Sequence, residues 1–427
     1  MKSICFYFQL HLPKRLKRYR FFQIGQDHYY YDDFMTEEKI RLLAEQSYLP
    51  ANKTIAEMIR SSNGKFKCAF SISGVTLEQL EQYAPEVIDS FRDLAQTGSV
   101  EFLAETYAHS LSSVYDMDEF ELEVKQHSEK IKSLFGKKPT AFRNTELIYS
   151  DEIGEMVRKL GYKTMLIDET KHIMGWKSPN FVYGHSYLKD MKLLVRNIKL
   201  SEDINLRFSS PGWADYPLTA EKLIGWIANA PAQEKVVNIW MGYDTFGTIQ
   251  RHESGIFDFM KALPYHAMEN RLQFGLPSEL TEKYETAGNL NIPYPISWCG
   301  HEKDLSLWNG NDLQQEALNK LYSIGERVRM CNDRPIRHDW LMLQSTENFR
   351  FMSHKDAYST HYESPYDAFI NYMNILADFT ERVNSQFPDD VENEELNELL
   401  KTIRDQEEMI ANLQKELKKK QAKPKAS

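Results

Sequence analysis

Six short apolar runs, alternating with helical patterns, constrain this chain more than any other feature. Residues 3–10 (SICFYFQL), 65–73 (KFKCAFSIS), 99–105 (SVEFLAE), 140–146 (TAFRNTE), 163–168 (KTMLID) and 236–242 (VVNIWMG) read as buried strands. Helical stretches lie at 37–62, at 76–98 where Gly98 closes the pattern, at 118–135, and after Ser150, which can cap the run SDEIGEMVRKLG. Strand–helix alternation repeated this often predicts an α/β fold on a parallel sheet, closed or open. Each run delivers polar side chains at or just beyond its C-terminal end: His11, Ser71 and Ser73, Glu105 and His109, Glu146, Asp168 and Asp244. That shared polarity favours a barrel with one active face.

The expected organisation is a barrel over 1–304, a helical domain over 305–388 and a tail over 389–427. In the tail, Leu396, Leu399, Ile403, Ile410, Leu413 and Leu417 alternate by threes and fours, with Gln406 breaking the series. Such a stripe suits a short coiled-coil-like helix able to pair with a second copy, or a solvated helix folded on its own domain. The Lys-rich end after residue 418 is expected to be disordered.

A net charge of −10 argues against nucleic acid or an anionic membrane as partner, and the one basic run, KRLKRYR at 14–20, has no second cluster to extend it. The four cysteines are scattered without CxxC spacing, as expected of reduced, buried thiols. No stretch approaches 18 uninterrupted apolar residues and the N-terminus opens directly into a strand pattern, so the expectation is a cytoplasmic protein. Aromatic residues make up 12% of the chain. Most fill cores, but exposed rings also stack on sugars, and Trp213 and Trp298 are candidates for that role beside His109.

Two carboxylates flanking one bond are what glycoside hydrolysis requires: one attacks, the other protonates the departing oxygen. Glu146 stands at a strand tip, directly after AFRNT. Together with HLP at 11–13, EFLAETYAHSL, FRNTELIYSDEIGEM, GYDTFG and SPYDAFINYMNILADF, it gives the chain a resemblance to glycoside hydrolase family 57, in particular to its α-amylase-type members in Bacteroidetes. The resemblance spans roughly 1–385. It implies a (β/α)7 barrel with an adjoining helical bundle, retaining chemistry on α-glucans, and no metal or organic cofactor.

Carried over position by position, the resemblance makes His11 a sugar-holding residue, with Leu12 departing from the His-Gln-Pro pattern. It makes Glu101 a substrate-orienting residue and Glu146 the nucleophile. The fourth family motif, Asp-Tyr-Glu-Thr-Phe-Gly, begins with the general acid. Here it reads Gly242-Tyr243-Asp244-Thr245-Phe246-Gly247, so the acid is missing. Family positions also drift at Thr346-Glu347-Asn348-Phe349 and at Gly300-His301. Asp244 could substitute only if the loop rearranges, because side chains two apart on a strand are displaced by about 6.6–6.8 Å. The expectations are therefore an α-glucan enzyme with weakened catalysis, or an inactive glucan-binding or regulatory relative. A metal-dependent deacetylase with His11, His109 and Asp244 as ligands is a third class, which the absence of HxH or HxxxH spacing disfavours.

Overall fold

A computed structural model describes residues 1–355 and 361–386, together with seven helical positions of the tail (399, 402, 403, 405, 406, 409 and 410). Seven parallel strands form the centre: β1 (Ser3–Leu10), β2 (Cys68–Ile72), β3 (Val100–Phe102), β4 (Ala141–Arg143), β5 (Thr164–Ile167), β7 (Lys192–Val195) and β8 (Val236–Gly242). β1 pairs with β2 and β8, β2 with β3, β4 with β5, and β5 with β7. Two further parallel bridges, Ala104 to Phe142 and Arg196 to Asn238, join β3 to β4 and β7 to β8 and so close the (β/α)7 barrel. Strand β6 (Val182–Gly184) runs antiparallel against β7. Six of the seven barrel strands are the apolar runs of the sequence. The missed one, β7, has four residues and follows a turn from β6, which has three.

Alternation along the strands divides the apolar residues into inner and outer sets. Cys5 and Tyr7 of β1 and Trp240 of β8 point inward with Ala69, Leu103, Ala141, Leu166 and Leu194. Large rings facing alanines fill the narrow interior. Outward, Ile4, Phe6, Phe8, Ile239 and Met241 pack on helices that include Leu49–Ser61, Ala220–Asn229 and Ile256–Glu269. The stretch expected as one helix over 76–98 is two, Gly74–Tyr83 and Pro85–Gln96. Pro85 has no N–H to continue the first helix and suits the first turn of the second.

Beyond residue 305 the described residues are mainly helical, with Asp312–Ser323, Arg334–Leu343 and Pro365–Gln386 as the main elements. Leu318, Leu321, Leu343, Phe349 and Phe379 share a continuous core with Phe142, Met165 and Leu193 of the barrel. These helices are therefore fastened to the strands whose tips carry the polar cluster described below. Among the described residues no helix is long and apolar enough to cross a membrane. Of the tail's apolar stripe, Leu399, Ile403 and Ile410 are helical and exposed, while Leu396, Leu413 and Leu417 lie outside the described residues.

Candidate active site

The C-terminal ends of β1, β3 and β4 converge on a buried chain of titratable groups. Glu146, just past β4, directs one carboxylate oxygen to His109 Nε2 at 3.0 Å and the other to the indole N–H of Trp298. His109 Nδ1 faces Glu105 Oε2 at 3.0 Å, and Glu105 also accepts from Ser71 Oγ at 2.8 Å. Arg143, wholly buried at the end of β4, stands 3.8 Å from Glu105 and donates to Gln9 Oε1 at 2.6 Å. The His11 ring stacks on His109 with centroids 4.0 Å apart and presents Nε2 to Glu347 Oε2 at 2.9 Å.

An imidazole between two carboxylates is held in its charged form. Burial alone would lower the pKa of His109, but its bonds to Glu105 and Glu146 raise it to about 9. Burial likewise works against ionisation of the carboxyls. It is outweighed by His109 and Arg143, which leave Glu105 at about 2 and Glu146 below its ordinary range. Glu347, against His11 and Ser345 Oγ, is also held well below the usual range. Near neutral pH, Glu146 is thus an ionised carboxylate fixed by two N–H donors, the state a nucleophile needs.

The backbone carries strain at the same place. Of the six non-glycine residues with left-handed φ among the described residues, His109 (56°), Glu146 (52°), Leu147 (54°) and Lys303 (57°) belong to this cluster. Such conformations persist where the surroundings over-determine them, commonly at functional sites. The turn bearing His109 is braced from behind by Glu123, which accepts from Ala108 N at 2.7 Å and from Ser110 Oγ. Burial and the neighbouring Glu119 push the Glu123 carboxyl up to about 8. On the opposite wall Trp298 is set edge-on to Trp240, centroids 5.1 Å apart. The Arg196 guanidinium sits 4.7 Å over the Trp240 ring and pairs with Asp168 at 3.2 Å, and Lys303 reaches Asp168 at 3.4 Å and the Trp298 carbonyl at 2.5 Å.

At β8, Gly242 is the Cα partner of Gln9 and lies on the inward face with Trp240. The chain then turns through the short 3₁₀ segment Tyr243–Thr245. That turn folds the Asp244 carboxyl back: a Cβ built on Gly242 would lie 2.5 Å from Asp244 Oδ1. The carboxyl therefore occupies the space a side chain at 242 would need, and the displacement expected of a continuing strand does not apply. Burial raises the pKa of Asp244, with the Lys39 ammonium opposing.

Two expected site residues are elsewhere. Glu101, second residue of β3, lies towards the N-terminal end of the barrel. It accepts from Thr140 Oγ1 at 2.9 Å, just ahead of β4, and from Ser278 N and Oγ at 3.1 and 3.0 Å. The chain continues through Ala104 before it reaches the active face, so Glu105 is the β3 carboxylate in the cluster. Trp213 packs edge-on against Trp226 at 6.3 Å, outside the barrel. Gln9 and Arg143 join the cluster without a motif to mark them, although strand alternation gives both an inward position. Glu347, in sequence only a departure from a family pattern, joins it through His11. Metal ligation by His11, His109 and Asp244 finds no matching geometry: both His109 nitrogens face carboxylates, and among the described residues no group of three or more His, Cys, Asp or Glu is arranged to hold an ion.

The chain is thus a closed (β/α)7 barrel with buried carboxylates gathered at its C-terminal face. The glycosyl hydrolase family 57 model matches residues 5–293, and the chain belongs to that family. It is 36% identical over 400 residues to a putative α-amylase of Methanocaldococcus jannaschii, covering 88% of this chain and 84% of the relative. Among solved structures it resembles a family 57 branching enzyme of Pyrococcus horikoshii, with TM-score 0.67, 12% identity and 94% of each chain covered. It also resembles an α-amylase of Thermotoga maritima, with TM-score 0.61, 12% identity, and 93% and 96% covered.

Proposed function

We propose that the protein cleaves or transfers α-1,4-glucan linkages with retention, Glu146 acting as nucleophile and Asp244 as acid/base from a displaced position. The observation that carries this is the Asp244 carboxyl filling the side-chain space of Gly242. The protonation preferences support the same division of labour: Glu146 is pushed towards the ionised form and Asp244 towards the protonated one. The names of the relatives, α-amylase and branching enzyme, support an α-glucan as substrate. In the first step Glu146 attacks the anomeric carbon while Asp244 protonates the departing oxygen. In the second, Asp244 takes a proton from water as that water releases the sugar from Glu146. A second reading, binding without cleavage, draws support from the Trp298 indole, whose N–H occupies one Glu146 oxygen.

Incubation with maltoheptaose followed by product analysis tests the reading. Wild type is expected to release shorter or rearranged maltooligosaccharides, and Glu146→Gln none above background. Binding by calorimetry with no product would favour the second reading, and absence of both binding and product would overturn the two together.

Glu101 provides a contrasting case. Glu101→Gln is expected to cost about 1 kcal/mol of stability by disturbing the bonds from Thr140 and Ser278, and to leave maltoheptaose affinity unchanged. Urea unfolding and calorimetry on the same preparation check this. Weakened sugar binding at full stability would return Glu101 to the site.

A further inference from the structure

The loop that leaves β5 on the active face carries an exposed tryptophan. Trp176 is 95% exposed, whereas Trp240, Trp308 and Trp340 are buried and Trp213, Trp226 and Trp298 at least half-buried. The short helix Lys171–Met174 begins three residues after the buried Asp168 and ends at Gly175, whose φ of 58° turns the chain back. Met174 is buried in the core that also holds Leu290, Ile292 and Ile296, and Lys177 Nζ reaches the Asn289 carbonyl at 3.5 Å. A second aromatic surface lies on the neighbouring segment: Tyr294, 49% exposed, stacks on His172 with centroids 5.9 Å apart and planes 18° apart.

That segment leads directly to the catalytic cluster. Ile296 pairs with Tyr149, and Trp298, four residues beyond Tyr294, contacts Glu146 through both its backbone N–H and its indole. Four residues span at most about 14 Å. The loop after β5 and the segment carrying Tyr294 therefore both belong to the face that carries Glu146. The surface of the exposed rings is flat and apolar with polar edges, the chemistry that stacks on pyranose rings.

We infer that Trp176 and the Tyr294–His172 pair form a distal sugar-stacking platform that engages the extension of a long α-glucan chain and sets a preference for chain length. The inference rests on the α-glucan reading of the site. Wild type is expected to bind maltoheptaose about tenfold more tightly than maltotriose, on the energetics of aromatic contacts. Trp176→Ala, and independently Tyr294→Ala, should erase most of that advantage while leaving maltotriose affinity unchanged. Calorimetry on the full chain measures both sugars. Trp176 is exposed, so its removal does not endanger folding.

If maltotriose binds and Trp176→Ala leaves the maltoheptaose affinity as in wild type, the platform is overturned and the glucan reading stands. If wild type binds neither sugar, both fall. If Trp176→Ala instead turns a dimer into a monomer in sedimentation, with sugar affinities unchanged, the exposed ring is a protein contact and the platform is likewise overturned.

Discussion

Asp244→Asn is expected to lower turnover on maltoheptaose by about 10²–10⁴, the range that loss of a general acid/base costs. The same variant should keep most of its glycosylation rate on an aryl maltoside with a good leaving group, because that oxygen departs without a proton. Glu146→Gln should abolish both. The contrast isolates protonation from binding, since Asp244 and Glu146 stand at the ends of different strands and neither hydrogen-bonds the other. Gly242→Asp, which would rebuild the family's motif, is expected to give no gain alone: its Cβ would meet Asp244 Oδ1 at 2.5 Å and set two carboxyls in one space. Combined with Asp244→Gly it should restore activity lost in Asp244→Gly. Equal loss on activated and natural substrates in Asp244→Asn would remove Asp244 from the acid role.

How the acid position reads depends on geometry that a string of letters does not carry. Sequence periodicity makes β8 a strand ending near Gly242 but is silent on whether the next residues extend or coil. A continuing strand would place the Asp244 carboxyl beyond reach, and the 3₁₀ turn at Tyr243–Thr245 brings it back. Glu101 and Glu105 pose a similar ambiguity. Both lie in one apolar run, four residues apart, and only the bridge at Ala104 tells that the strand still rises past Glu101 before reaching the active face. By contrast the placing of Glu146 and His11 on the active face is legible, because each stands at the end of an apolar run. Glu347 is the opposite extreme. Its partner His11 is 336 residues away, and nothing local in Thr346–Arg350 marks a helix that returns to the barrel mouth. The barrel itself is readable through six short apolar runs, while closure depends on the four residues of β7 and two single bridges.

The charged His109 makes a second large effect testable through pH. Its imidazole is raised in the folded protein from the ordinary 6.5 to about 9 by Glu105 and Glu146, which outweigh burial. A group whose folded pKa lies above its unfolded one contributes stability that is complete below pH 6.5 and disappears as pH rises through about 9. The size of this rise corresponds to about 3 kcal/mol. The carboxylates report the same interactions from the acid side: Glu105, lowered from 4.5 to about 2, contributes stability present above pH 4.5 and lost as pH falls towards 2. Urea unfolding of wild type should therefore weaken between pH 6.5 and 9.5. His109→Gln should be less stable at pH 6.5 and converge towards wild type at pH 9.5. The difference between the two proteins cancels other groups that titrate alkaline. Turnover should fall over the same alkaline window, because a neutral His109 no longer supplies the positive charge that orients the Glu146 carboxylate. A stability difference between wild type and His109→Gln that stays constant from pH 6.5 to 9.5 would show that the imidazole is not charged between its two carboxylates, and the electrostatic account of Glu146 would fail with it.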